Sequence, residues 1–161
     1  MNTAMNIQVK PLKGKSIWVL GDLYTFKITG EQSMGAFTVI EQNIQPESGP
    51  PPHIHRREDE LFYVLEGKFS FMCGDKLDVF ESGSFIYIPK NTLHTFKNVG
   101  DQQGKLLVII SPAGLEEFFY SIGTPVSESS NNPGFDPDSI EKVMKLAPDY
   151  QMDIVLPSQN I

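Results

Sequence analysis

Residues 53–67 read HIHRREDELFYVLEG, and this stretch decides how the chain folds. Two histidines stand two residues apart, a charged run follows them and ends in Glu60, and an apolar run then closes at Gly67. Side chains alternate between the two faces of a strand, so His53 and His55 point the same way. The stretch therefore predicts two adjacent imidazoles on one face, with a carboxylate opening the next strand.

The third histidine of the chain lies in a second motif. Gly83 is followed after five residues by Pro89, and Asn91 then precedes His94. Histidine is the commonest side-chain ligand of transition metals. All three histidines fall in these two motifs, so two pieces of a rolled sheet could bring three imidazoles and one carboxylate to a single point. Such a set suits iron, manganese, nickel, copper or zinc better than calcium or magnesium.

The carboxylate of this set has rivals in the charged turn. Glu58 and Asp59 both stand close to the histidines, with Asp59 as the first alternative. Glu60 is preferred because it adjoins the apolar strand and shares a face with Phe62. A lone carboxylate on an apolar face is costly unless it is paired or binds a metal.

The rest of the chain predicts an all-β protein with C-terminal helices. Residues 16–110 contain short apolar runs every eight to twelve residues, cut by turn signals, which is typical of a sandwich or barrel. Helical spacing appears in residues 115–122 and again in residues 137–147. We expect one domain, with N-terminal strands in residues 1–34, a barrel in residues 35–112 and a helical extension in residues 113–161.

Composition excludes several classes of partner. The net charge is −7, so no basic patch exists to bind nucleic acid or an anionic membrane surface. No apolar run approaches the roughly 18 residues of a membrane span. Residues 1–10 have no apolar signal core. A cytoplasmic location is the default expectation.

The two motifs resemble the paired motifs of the cupin superfamily, whose members form a small barrel of the double-stranded β-helix or jelly-roll type. The resemblance covers residues 35–112 and is specific at the ligand positions. It implies that the metal ligands are His53, His55, Glu60 and His94. It also places Gly67 and Gly83 in turns. The first motif departs from the family pattern because Gly49 stands unusually close to the histidines. In the second motif Asn91 replaces a common glycine, and asparagine also tolerates left-handed turns.

Residues 18–22 and 112–116 extend the resemblance to small bacterial single-cupin proteins of the quercetin 2,3-dioxygenase-like type. This implies a metal-dependent dioxygenase with one divalent transition metal, for which iron, nickel or manganese are favoured and zinc or copper are alternatives. Glu60 would be both a ligand and the catalytic base for a substrate hydroxyl. Because one fold serves many reactions, the resemblance predicts the substrate poorly.

Alternation along the strands predicts an apolar wall around the site. Its candidates, each of which could equally be barrel core, are Phe62, Val64, Phe69, Phe71 and Phe96. Such a wall suits a small-molecule substrate that is flat or hydrophobic.

Two other functions and one assembly stay open from the sequence. A metal-dependent isomerase, epimerase or lyase would be favoured by an inward-facing Lys or Arg. A non-catalytic binding or sensing module would be favoured by a metal with no open coordination position or by a pocket filled with side chains. The apolar residues 17–20 and 115–122 predict a homodimer that buries one or both segments, unless both cover their own barrel.

Overall fold

The computed structural model describes residues 6–11, 13–127 and 131–156. Within these residues the strands are β1 (Lys15–Val19), β2 (Asp22–Ile28), β3 (Thr38–Ile44), β4 (His53–His55), β5 (Asp59–Glu66), β6 (Lys68–Cys73), β7 (Lys76–Glu81), β8 (Phe85–Ile88), β9 (His94–Asn98), β10 (Gly104–Ser111), β11 (Thr124–Pro125) and β12 (Met152–Ile154). The helices are α1 (Glu116–Ile122) and α2 (Asp138–Leu146), and Ala147–Tyr150 forms a 3-10 turn.

The strands form two antiparallel sheets. The larger sheet has the order β11-β1-β2-β3-β10-β5-β8, and the smaller has the order β12-β4-β9-β6-β7. From β3 to β10 the chain passes to the other sheet at every connection except the β6–β7 hairpin. This is the connectivity of a jelly roll, so the predicted all-β fold with C-terminal helices is confirmed.

The core lies between the two sheets and follows from strict alternation along the strands. In β10 every second residue is buried, and Leu106, Val108 and Ile110 are fully enclosed. Aromatic rings join the sheets, because Phe62 on β5 lies 5.2 Å from Phe71 on β6, measured between ring centroids. Interdigitation of this kind supplies most of the apolar burial that stabilises a sandwich.

Two of the short strands could not be read from the sequence, and a third was readable only as extended backbone. β4 is only three residues long, although its extended backbone is predicted, and β11 lies in what reads as a polar linker. β12 follows the second helix and pairs with β4, so that Met152 faces His55 and Ile154 faces His53. The composition of residues 124–134 predicts a polar linker, and residues 128–130 of it lie outside the described residues.

The two apolar segments proposed for a dimer interface are buried within their own chain. Ile17 and Val19 of β1 are 2% and 3% exposed, and Leu115 and Phe118 around α1 are 1% and 3% exposed. The expectation that they need a partner subunit is therefore wrong, because helices and β1 cover their own barrel. A homodimer stays a prediction that must use another surface.

No described helix is long and apolar enough to cross a membrane.

One buried carboxylate ties α1 to the larger sheet. Glu116 accepts hydrogen bonds from the backbone N–H of Gly30 at 2.6 Å, from the Thr38 hydroxyl at 2.6 Å and from the N–H of Gly114 at 2.8 Å. Hydrogen bonds to a charged group are the strong ones in proteins. Glu116 therefore fixes the start of the helix over the barrel.

We expect Glu116→Gln to lower the free energy of unfolding by about 2–4 kcal/mol, because the amide turns a donor toward at least one of these three donors. Glu117→Gln is the matched control, since Glu117 is exposed on the same helix, and it should change stability by less than about 0.5 kcal/mol. Chemical denaturation of both variants checks this. Equal stabilities would show that the three hydrogen bonds do not hold the helix.

Candidate metal centre

The four predicted ligands come from three strands that meet inside the barrel. His53 of β4 lies directly opposite His94 of β9 in the smaller sheet, and His55 follows on the same face of β4. Glu60 points in from β5 of the larger sheet. All four side chains are buried, with exposures between 1% and 7%. The parity that the sequence predicts thus brings all four into one cluster.

The donor atoms of this cluster are close enough to share one ion. One ring nitrogen or carboxylate oxygen from each residue lies within 4.8 Å of all the others. The Nε2 of His94 is 2.7 Å from Oε2 of Glu60, and the Nε2 of His55 is 3.4 Å from the same oxygen. Three imidazoles and a carboxylate at these separations suit a transition metal.

Backbone carbonyls fix two of the rings with their Nε2 atoms toward the centre. The Nδ1 of His53 is 2.8 Å from the Pro51 carbonyl, and that of His94 is 2.9 Å from the Thr92 carbonyl. A carbonyl only accepts, so each Nδ1 carries the proton and a neutral ring then has a bare Nε2. In His94 this bare nitrogen would face the Glu60 carboxylate, a contact that needs a cation or a second proton. The residues therefore fit a bound metal.

The turns that lead into the ligands explain both departures from the family motifs. Asn91 adopts a left-handed backbone with φ of 67° and donates its N–H to the His55 carbonyl at 2.7 Å. Gly49 packs so tightly against the backbone of Phe96 that a Cβ atom there would collide with the Phe96 carbonyl oxygen. Its position is thus set by close approach of two chain segments.

His55 has a different neighbour on its outer side. Its Nδ1 is buried without a hydrogen bond to any described residue. Oε2 of Glu58 lies 3.9 Å from this nitrogen and is also buried without a hydrogen bond to any described residue. Glu58 is 2% exposed, and its other oxygen accepts a hydrogen bond from Arg57 at 3.0 Å. Glu58 thus stands behind a ligand rather than among the ligands. A small approach would let His55 donate to it, as carboxylates commonly orient metal-binding imidazoles.

Burial and neighbouring charges shift the pKa values of the cluster residues in different directions. Burial, and then the neighbouring His94 and His55, lower the pKa of His53 to about 3. Burial also disfavours charged His55, but Glu60 and then Glu58 outweigh it and raise the pKa of that ring. Burial acts to raise the pKa of Glu60, yet His55 and His94 outweigh it and hold that pKa well below its usual range. Of His53 and His55, His55 is therefore the ring that holds its proton to higher pH.

A cavity opens beside the cluster and measures about 60 Å³. His53, His55 and Glu60 form its polar end, and Phe62 and Phe96 belong to its apolar wall. The other three predicted wall residues, Val64, Phe69 and Phe71, do not line it. They lie in the barrel core with exposures of 0–1%, and the rings of Phe69 and Phe71 pack against Phe96. Alternation gives the face of a strand but not the depth at which a side chain lies.

The outer wall of the cavity comes from the C-terminal extension. We use the term cap for α1, α2 and β12, which contribute Phe118, Phe119, Ile122, Val143, Met152 and Ile154 to the lining. The sequence predicts helical spacing in residues 115–122 and 137–147 but does not decide whether these segments cover the outside of the barrel, its mouth or a partner subunit. The lining formed by described residues contains no Lys or Arg.

Comparison with known proteins identifies the type of domain that contains this cluster. Residues 40–110 match the family model of the cupin domain. The chain contains a cupin domain. The cupin is 32% identical over 155 residues to a quercetin 2,3-dioxygenase of Aspergillus japonicus, a match that covers 91% of this chain and 43% of the relative. It is also 26% identical over 91 residues to a quercetin 2,3-dioxygenase of Bacillus subtilis, covering 56% of the chain and 27% of the relative. The cupin thus spans less than half the length of these curated relatives.

Solved structures share the fold of the cupin. An RmlC-like cupin from Shewanella frigidimarina has a TM-score of 0.59 at 16% identity, over 73% of this chain and 99% of that one. A predicted oxalate decarboxylase from Thermotoga maritima has a TM-score of 0.58 at 18% identity, over 67% of this chain and 99% of that one. At these identities the likeness concerns the fold alone.

The raised pKa of His55 predicts how metal binding depends on pH. The metal must displace the proton that His55 holds below that pKa, so affinity should fall about tenfold per pH unit as the pH drops through it. His53 releases no proton at neutral pH because its pKa is about 3. Calorimetric titration with zinc in buffers of different ionisation enthalpy should show proton release that vanishes at high pH. Affinity that rises on acidification would contradict this electrostatic picture.

Proposed function

We propose that this cupin is a metal-dependent dioxygenase, of the quercetinase-like type, that acts on a small, flat, oxygen-bearing substrate. The observation that carries the proposal is an apolar, aromatic cavity whose lining includes two imidazoles and the carboxylate of the four-residue cluster. A substrate with a flat apolar body and one oxygen-bearing end matches that polarity. The similarity to two quercetin 2,3-dioxygenases supports the same reaction class.

The four ligands would hold one divalent transition metal, preferably iron, nickel or manganese, with zinc and copper as alternatives. When bound, the metal would supply Lewis-acid and redox chemistry toward an oxygen of the substrate. Glu60 lines the cavity as an ionised carboxylate, and in this proposal it accepts the proton of a substrate hydroxyl. The rings of Phe62 and Phe96 hold the flat body and exclude water.

The cap has to move when a substrate enters. A cavity of about 60 Å³ is room for roughly five water molecules, which is less than a two-ring ligand occupies. The cap is held to the barrel by the three-residue pairing of β12 with β4 and by ring contacts such as that of Phe119 with Tyr24 of β2, at 5.3 Å between centroids. In this proposal the cap shifts outward and its aromatic face stays on the ligand.

Each of the two rival functions would be favoured by a feature that the described lining of the cavity does not show. An isomerase, epimerase or lyase acting on a polar or phosphorylated metabolite would be favoured by a cation beside the metal. Arg57, the charged residue next to the motif, instead donates to Glu58 and to the Ala113 carbonyl. A non-catalytic module would be favoured by a filled pocket, whereas space remains beside the imidazoles.

Elemental analysis of natively purified protein, followed by oxygen uptake with a panel of flavonols, diketones and catechols, tests the proposal. Metal-dependent oxygen uptake with one of these classes, absent in His94→Ala, is the expected result. Uptake that is equal in the variant would show that the reaction does not occur at this site. Turnover of sugars or phosphorylated metabolites without oxygen uptake would favour the isomerase alternative.

We retain the homodimer and the cytoplasmic location as predictions. Exposed aromatic side chains on the outer face of the larger sheet, Tyr63, Phe85 and Tyr87, are a surface that a second copy could cover. Light scattering should give the mass of two chains at micromolar concentration. A mass of one chain would refute the dimer.

A further inference from the structure

Gln42 breaks the apolar inner face of β3. Every second residue of this strand is buried, and Ile40 and Ile44 on either side of Gln42 are 0% exposed. Gln42 is itself only 3% exposed and lines the cavity that contains the histidines. Its neighbours across the sheet are Tyr24 on β2 and Leu106 on β10. A primary amide thus stands where alternation calls for a hydrocarbon side chain.

Among the described residues, the amide has no hydrogen-bond partner. Its Oε1 is buried without a hydrogen bond, and none of the hydrogen bonds among the described residues involves its Nε2. The Oε1 and Nε2 atoms of a glutamine are hard to distinguish. Exchanging them here would not create a hydrogen bond, because neither position has a partner among the described residues. A buried amide in a folded protein is normally hydrogen-bonded, as Asn98 of β9 shows. Asn98 donates to the Ile44 and Gln102 carbonyls and accepts from the Gly100 N–H.

An unpartnered buried amide costs about 1–3 kcal/mol of folding free energy. Leucine or methionine at this position would avoid that cost and would match the neighbouring isoleucines. The amide is therefore unfavourable for the empty fold but well placed for a molecule in the cavity.

We propose that Gln42 is a specificity-determining residue that hydrogen-bonds a hydroxyl group on the part of the substrate remote from the histidines; this rests on the proposed function. A hydroxyl can both donate to Oε1 and accept from Nε2. Remoteness follows from the sheet register, because Thr38, Ile110 and Glu60 face one another across β3, β10 and β5. Gln42 stands four residues further along β3, about 13 Å at the rise of a strand.

The experiment uses three probes and protein loaded with zinc, which has no redox chemistry and so permits binding without turnover. The probes are 3-hydroxyflavone, 3,7-dihydroxyflavone and 3,4′-dihydroxyflavone, and flavonol fluorescence reports their dissociation constants. Gln42→Met is the main variant because it keeps an unbranched side chain, and Gln42→Leu is a second. Asn43→Leu is the matched control, since Asn43 lies on the outer face of the same strand. Zinc content verifies that each metal site is intact.

Wild-type protein should bind one dihydroxyflavone about 3- to 10-fold more tightly than 3-hydroxyflavone, as expected for one hydrogen bond. Both Gln42 variants should lose that preference while their affinity for 3-hydroxyflavone changes less than about twofold, and Asn43→Leu should keep it. The unfolding midpoint of ligand-free Gln42→Met should equal or exceed that of wild type.

Other results would overturn the proposal. An unchanged preference in the variants would mean that the amide serves a bound water only. A lowered unfolding midpoint in Gln42→Met would mean that the amide has a partner within the fold. If wild type binds none of the three flavonols, the proposed substrate class fails and the hydroxyl assignment fails with it. Binding of 3-hydroxyflavone without any preference refutes Gln42 alone and leaves the proposed function standing.

Discussion

Replacing His94 with alanine is expected to weaken metal binding by more than about 100-fold, since even loss of an outer partner costs a metal site 10- to 100-fold. His94 lies opposite His53 in the register of β4 and β9, and its Nε2 is the ring nitrogen nearest to Glu60. Its removal takes away a ligand and leaves the Glu60 carboxylate without its closest partner. Elemental analysis after dialysis measures the effect.

The His94 variant also tests whether the two sequence motifs make one site. His53, His55 and Glu60 come from the first motif, and His94 is the ligand from the second. His94→Gln is the second variant, because it retains more of the buried volume if alanine destabilises the barrel. Full metal occupancy in both variants would show that the first motif binds metal alone.

Glu60→Gln is expected to lower oxygen uptake at least about 100-fold, because it removes an ionised ligand and the proposed proton acceptor together. Glu58→Gln is the matched comparison, two residues away and equally buried. It should weaken metal binding about 10-fold, since Glu58 stands behind His55 and orients it. Oxygen-electrode rates and metal titrations of the two variants separate these roles.

The order of these two effects decides which carboxylate is the ligand. Oε2 of Glu60 lies within 3.4 Å of two imidazole nitrogens, whereas Oε2 of Glu58 approaches one ring at 3.9 Å on its outer side. A larger loss of metal affinity in Glu58→Gln than in Glu60→Gln would show that Glu58 is the ligand. Equal and complete loss in both would indicate that the whole β4–β5 turn collapses, which circular dichroism would detect.

Part of the metal cluster was predictable from local periodicity, and the resemblance to the paired cupin motifs implied the full set with His94. His53 and His55 share a face by the two-residue repeat of a strand, and Glu60 opens the next strand on its inner side. The role of Glu58 was not readable in the same way. It is charged and stands in a polar turn, and only the closed fold shows that it is buried behind His55.

The cavity wall was only partly predictable, because its residues meet through tertiary packing. Phe62 and Phe96 follow from strand parity, but Phe118, Val143 and Met152 belong to segments far along the chain. β12 is three residues long and follows a proline-containing turn, which gives no strand signal. Gln42 stands among the three consecutive polar residues 41–43 of β3, and only the fold shows that it is buried with its Oε1 unbonded.

The spectrum of the bound metal tests the central claim most directly. Protein loaded with an optically or paramagnetically active metal should show a saturable spectral change when a flavonol or diketone is added without oxygen. Sugars and phosphorylated metabolites should leave the spectrum unchanged, because no described Lys or Arg lines the cavity. A change with sugars or phosphorylated metabolites, and none with the aromatic compounds, would contradict the oxygenase account and favour the isomerase alternative.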